Sequence, residues 1–128
     1  MKSIYKKYTI NAPISEVWKA LVDTEYIEGW GAGKAHMDDT EGYSFTLWDG
    51  SVHGTNIEVV EKKKLVQEWY GGDWEKPSKV QFLLFEGKDG STKIQLVQDD
   101  VPDNEEKDID EGWDKYYLGA IKQYLEEK

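Results

Sequence analysis

The spacing of apolar positions changes period twice along the chain, and the changes divide it into three stretches. Residues 4–10 are rich in Ile, Tyr and Thr and predict a first strand, which Pro13 ends. Ser15 precedes Glu16-Val17-Trp18 and is a favoured helix N-cap. Ile14, Val17, Trp18, Leu21 and Val22 recur at helical spacing, so a short helix is predicted over about residues 14–22. Thr24 is set to cap a second short turn through Tyr26, Ile27 and Trp30, before Gly29, Gly31 and Gly33 break the regularity.

From Lys34 to Asp99 the period falls to two. Tyr43–Trp48 runs into Asp49-Gly50, a strong hairpin signal, and a long alternating run covers Ser51–Val60. Lys62-Lys63-Lys64 reads as a turn before a strand at Leu65–Tyr70. A loop over Gly71-Gly72-Asp73-Trp74-Glu75-Lys76-Pro77 follows. Val80–Phe85 and Lys93–Gln98 flank the hairpin-like Gly87-Lys88-Asp89-Gly90. Short turns between neighbours make this stretch an antiparallel meander.

The third stretch returns to helical spacing. A helix begins between Asn104 and Asp110, with Asp103 and Glu106, or Asp108 and Glu111, as the capping pair. At 100° per residue, Trp113, Tyr116, Tyr117, Ala120, Ile121 and Tyr124 fall on one face, wide enough to cover a sheet. Gly119 falls on the polar side, where it costs about 1 kcal/mol relative to alanine; the helical pattern gives no reason for it. With no repeat or linker, residues 1–128 read as a single α+β domain.

That order of elements resembles the START-like (Bet v 1-like, helix-grip) superfamily. Within it, the chain is similar to the group named for the C-terminal domain of the activator of Hsp90 ATPase. The resemblance rests on Ile10-Asn11-Ala12-Pro13-Ile14-Ser15-Glu16-Val17-Trp18-Lys19-Ala20-Leu21, Trp30, Asp49-Gly50, Gly54, Leu65-Val66 and Trp69. It continues through Glu111-Gly112-Trp113 to Tyr124-Leu125. It implies a curved antiparallel sheet of six to seven strands, two short helices, and a cavity between the sheet and a long C-terminal helix. It implies binding of lipids, polyketides, flavonoid-like molecules or proteins, with cyclases and hydrolases a minority. Full-length Hsp90 activators carry a further N-terminal domain, for which 128 residues leave no room.

Composition narrows the partners. With 26 acidic and 16 basic residues the net charge is −10, which disfavours nucleic acid and anionic membranes. The acid is densest over Asp99–Asp114, read either as a solvated edge or as a docking edge for a basic partner. There is no cysteine, no apolar run of membrane-spanning length and no signal-peptide pattern after Met1-Lys2-Ser3, so a cytoplasmic setting is expected.

Catalytic chemistry is weakly signalled. His53 alternates with Thr55, Ile57 and Val59, and if that face is internal it reaches a cavity mouth as a general base or polar anchor, opening a cyclase- or hydrolase-like alternative. His36 beside Asp38-Asp39 is a thin basis for a metal site, and no cofactor motif occurs. Six tryptophans carry more information. Trp69 shares a face with Leu65 and Gln67; Trp113, Tyr117, Ile121 and Tyr124 face inward from the last helix; Trp30 and Trp48 lie at element ends. Together with His53, Ile57 and Gln67 these residues predict either a pocket for a small hydrophobic or planar aromatic molecule or a filled aromatic core. A chaperone or other protein partner is the alternative that the resemblance adds.

Overall fold

The computed structural model describes residues 1–72 and 74–127; Asp73, within the predicted loop, and Lys128 lie outside the described residues. The chain runs β1 (Lys2–Ile10), α1 (Ile14–Val22), α2 (Thr24–Trp30), β2 (Ser44–Leu47), β3 (Val52–Val60), β4 (Lys64–Gly71), β5 (Ser78–Glu86), β6 (Thr92–Val101), α3 (Glu106–Gly112) and α4 (Leu118–Glu126). A five-residue π-helical turn, Trp113–Tyr117, joins α3 to α4, so one long helix closes the chain. The six strands form a curved antiparallel sheet in the order β1-β6-β5-β4-β3-β2. Where a seventh strand was expected there is an isolated bridge from His36 to Thr46, with Trp48 and Asp49 donating to the carbonyls of Ala32 and Lys34.

Three predicted caps are corrected. Pro13, not Ser15, stands at the N-cap of α1. Asp23 caps α2 by accepting from the amides of Glu25 and Tyr26, while Thr24 bonds Met37 across the fold. Glu105 precedes α3 with no side-chain cap, and Asp103 pairs with the N-terminal ammonium. Thr24 and Asp103 thus have partners elsewhere, which leaves the cap position to a neighbour.

The core lies between the inner face of the sheet and the helices. Ile4, Ile10, Leu65, Phe82, Ile94 and Leu96 from the strands meet Val17, Leu21, Ile27, Trp113, Leu118 and Ile121 from the helices, all buried. Large apolar side chains of this kind each contribute about 1.5–3 kcal/mol on burial. The π turn decides which face of the last helix joins them. Leu118 donates its amide to Trp113 O, five residues back, and the extra residue rotates everything downstream by about one position. Leu118 and Leu125 are therefore buried, Tyr124 is only half-buried, and Tyr116 is 63% exposed. Gly119 has its reason here: a Cβ would stand 1.8 Å from the carbonyl oxygen of Asp114.

Candidate functional site

A cavity of about 500 Å³ opens where the last helix crosses the ends of β3 and β4. Trp48, Ser51, Val52, Trp69, Ile109, Gly112, Trp113, Tyr116 and Tyr117 line it. Behind this groove the interior is filled by rings. Tyr117 is the hub, its centroid 4.7 Å from Trp30, 4.7 Å from Trp113, 5.7 Å from Trp69, 5.7 Å from Phe82 and 6.1 Å from Trp48. Trp69 and Trp113 lie 5.0 Å apart. The two sequence readings thus each describe part of the space: a packed aromatic interior and an open aromatic mouth.

Two buried glutamines hold the wall. Trp69 Nε1 donates to Gln67 Oε1 at 2.7 Å, and Gln67 Nε2 donates to Asn56 Oδ1 at 2.9 Å. Asn56 in turn donates to the carbonyls of Asp38 and Thr40. On the other side Trp113 Nε1 donates to Gln98 Oε1 at 2.8 Å, Gln98 Nε2 donates to Ser78 Oγ, and Ser78 donates to Asp99 O. Both chains keep polar groups satisfied in a place where an unmet one costs about 1–3 kcal/mol. They also occupy the indole N–H groups of both tryptophans, which leaves ring faces toward the groove.

Trp48 is set differently. Its φ of 49° and the 56° of Asp49 are left-handed, a region bulky residues rarely enter, at a cost of order 1–3 kcal/mol per residue. The hydrogen bonds to Ala32 and Lys34 hold that turn, and the half-buried ring stands at the mouth beside Trp30, 6.1 Å away edge to face.

Of the ten residues proposed from sequence, Trp48, Trp69, Trp113 and Tyr117 line the groove. Trp30 and Gln67 support it from behind, Trp30 by donating to Ala20 O at 2.8 Å and packing on Tyr117. Ile121 is wholly buried core. Tyr124 lies over Gly29 and edge-on to Tyr26, away from the mouth. The expectation that His53 and Ile57 face inward is corrected. Gly54 pairs with Trp69 and Asn56 with Gln67 on the inner face, so His53 points outward and stacks on Tyr70 at 5.4 Å. A register shift between Asn56 and Glu58 leaves Ile57 47% exposed on the outer face. Gly54 carries the signal that sets the face: a Cβ there would lie 1.8 Å from Glu68 O and 3.0 Å from the Phe45 ring. Ser51, Val52, Ile109, Gly112 and Tyr116 were missed, because their meeting depends on how the helix crosses the sheet.

The acidic stretch is largely engaged by the protein itself. Lys6 bridges Asp110 at 2.7 Å and Asp114 at 2.8 Å, the Tyr8 hydroxyl donates to Asp114, Trp74 Nε1 donates to Glu105, and Ser3 donates to Asp99. Hydrogen bonds from Lys6 and then Tyr8 hold the Asp114 carboxyl below its ordinary range. Burial first, then the bond to Asp114, pushes the Tyr8 hydroxyl up. Among the described residues no group of three or more His, Asp or Glu is arranged to hold a metal ion, and no helix is long and apolar enough to cross a membrane.

Comparison with known proteins places this geometry. The human activator of 90 kDa heat shock protein ATPase homolog 1 is 26% identical over 123 residues, covering 95% of this chain and 36% of that protein. The Hsp90 co-chaperone AHA1 of Saccharomyces cerevisiae is 28% identical over 127 residues, 94% of this chain and 36% of its own length. The chain therefore spans about a third of the curated relatives it matches. The crystal structure of an Hsp90 activator from Plasmodium falciparum superposes with a TM-score of 0.90 at 22% identity, covering 98% of this chain and 97% of that one. The family pattern described as activator of Hsp90 ATPase homolog 1-like protein matches residues 11–126, and the chain belongs to that family.

Proposed function

We propose that this chain is a non-enzymatic binding domain, acting as one unit over residues 1–128 in the cytoplasm, whose working surface is the aromatic groove at the open end of the helix grip. The occupant is a small, flat, hydrophobic or aromatic molecule. One observation carries the reading: about 500 Å³ of space walled by Trp48, Trp69, Trp113 and Tyr117, a volume within the range of small-molecule sites. Because Trp69 and Trp113 spend their N–H groups on Gln67 and Gln98, the wall offers ring faces and favours stacking. Titration of intrinsic tryptophan fluorescence with planar aromatics and with fatty acids tests it. Saturable change with the planar set is expected; a linear response to every compound would end the small-molecule reading.

A second reading has the groove receive an apolar side chain of an Hsp90-type chaperone. The relatives' names favour it, as does the match to an Hsp90 activator of nearly the same extent. Its test is calorimetry and ATPase turnover with the Hsp90-type chaperone of the same source. Binding that Trp48→Ala weakens supports it, and absence of binding at physiological salt removes it.

A further inference from the structure

Among the described residues, one buried polar group of the groove wall is left without a partner. The Tyr117 hydroxyl is buried and, among the described residues, makes no hydrogen bond. The residue is 2% exposed, and desolvation pushes its hydroxyl pKa well up, so the group stays protonated and able to donate. Its neighbours differ. Trp69, Trp113 and Trp30 all deliver their N–H groups to named acceptors. A second observation marks the same residue. Tyr117 ends the π turn with φ −119° and ψ −86°, outside helical values, and at position 119 a Cβ would stand 1.8 Å from Asp114 O of that turn. π turns are rare, occur mostly as single turns inside helices, and are frequent at functional sites.

Resting on the small-molecule reading above, we infer that Tyr117 is the polar anchor of the groove, and that the ligand class is a flat aromatic body carrying a hydrogen-bond acceptor that takes the Tyr117 proton. The rings of Trp69 and Trp113 stack on the body; the hydroxyl selects for the acceptor. Since the hydroxyl is enclosed, the ligand reaches it as the rings above part. Trp48 is the half-buried member of that wall, held on a left-handed turn, and has less packing to lose than Trp69 or Trp113.

Quinoline and naphthalene form the test, since they share one shape and only quinoline has an acceptor. Both are titrated into the wild-type protein and into Tyr117→Phe, and the ratio of the two affinities is compared between proteins, which cancels their different hydration. The ratio favouring quinoline is expected to fall about three- to tenfold in Tyr117→Phe, the size of one neutral hydrogen bond. The thermal midpoint of the variant is expected to be no lower than wild type, because the hydroxyl holds nothing. An unchanged ratio overturns the anchor and leaves the groove reading standing. Failure of both compounds to bind the wild type overturns the groove reading and the anchor with it. A variant that loses stability or does not fold shows that the hydroxyl has a structural partner, and equally overturns the inference.

Discussion

Trp113 hands its indole N–H to Gln98 at 2.8 Å, with the indole 3% exposed and the amide fully buried. The bond ties the last helix to β6 at the point where the groove begins. Gln67 and Trp69 repeat the arrangement within β4. Polar side chains at core positions of strands are thus positioning devices for ring faces.

Gln98→Leu keeps the volume and removes the acceptor. It strands the Trp113 N–H and also costs Ser78 a partner. A loss of about 1–3 kcal/mol is expected, with the larger values if water cannot enter. Urea unfolding measures it, and a neutral result would mean that the glutamine does not set Trp113.

Gly119→Ala separates two rules. Helix propensity alone predicts a gain of about 1 kcal/mol. The π turn predicts a loss of at least about 1–3 kcal/mol, since the new Cβ meets Asp114 O at 1.8 Å and the backbone must shift. The unfolding midpoint decides between them by its sign.

Trp48→Gly suits the turn better than tryptophan does, because glycine enters left-handed φ without strain. Its stability loss should fall below the roughly 3–5 kcal/mol typical of a lost core aromatic. Binding in the groove should weaken at least about tenfold. His53→Ala, on the outer face, should leave stability within about 0.5 kcal/mol and binding unchanged. Equal effects of the two substitutions on binding would contradict the site.

Asp114 gives a pH signature. Its folded-state pKa is depressed by the bonds from Lys6 and Tyr8. The stability it contributes is present above the ordinary carboxylate range near pH 4 and is lost as pH falls through the lower folded value. Tyr8, raised by burial and by Asp114, contributes in the opposite sense: its share is lost as pH rises above about 10. Melting curves from about pH 7 down to about pH 2 should fall less steeply in Asp114→Asn than in wild type. Parallel curves would mean that other carboxylates set the acid limit.

Local pattern determined much of this protein. The order of strands and helices, the antiparallel meander, the inward Trp69 and Gln67, and the sheet-facing Trp113 and Tyr117 all follow from periodicity and turn residues, which act over a few neighbours. Tertiary structure decided the rest. His53 faces outward because the register that seats Gly54 against Glu68 and Phe45 fixes the inner set of β3, and a strand's period of two allows no compromise. Tyr124 leaves the groove and Leu118 and Leu125 enter the core because a single π turn rotates the helix after Trp113. Both choices depend on which distant backbone comes close, and Gly54 and Gly119 are the residues at which the sequence records that closeness.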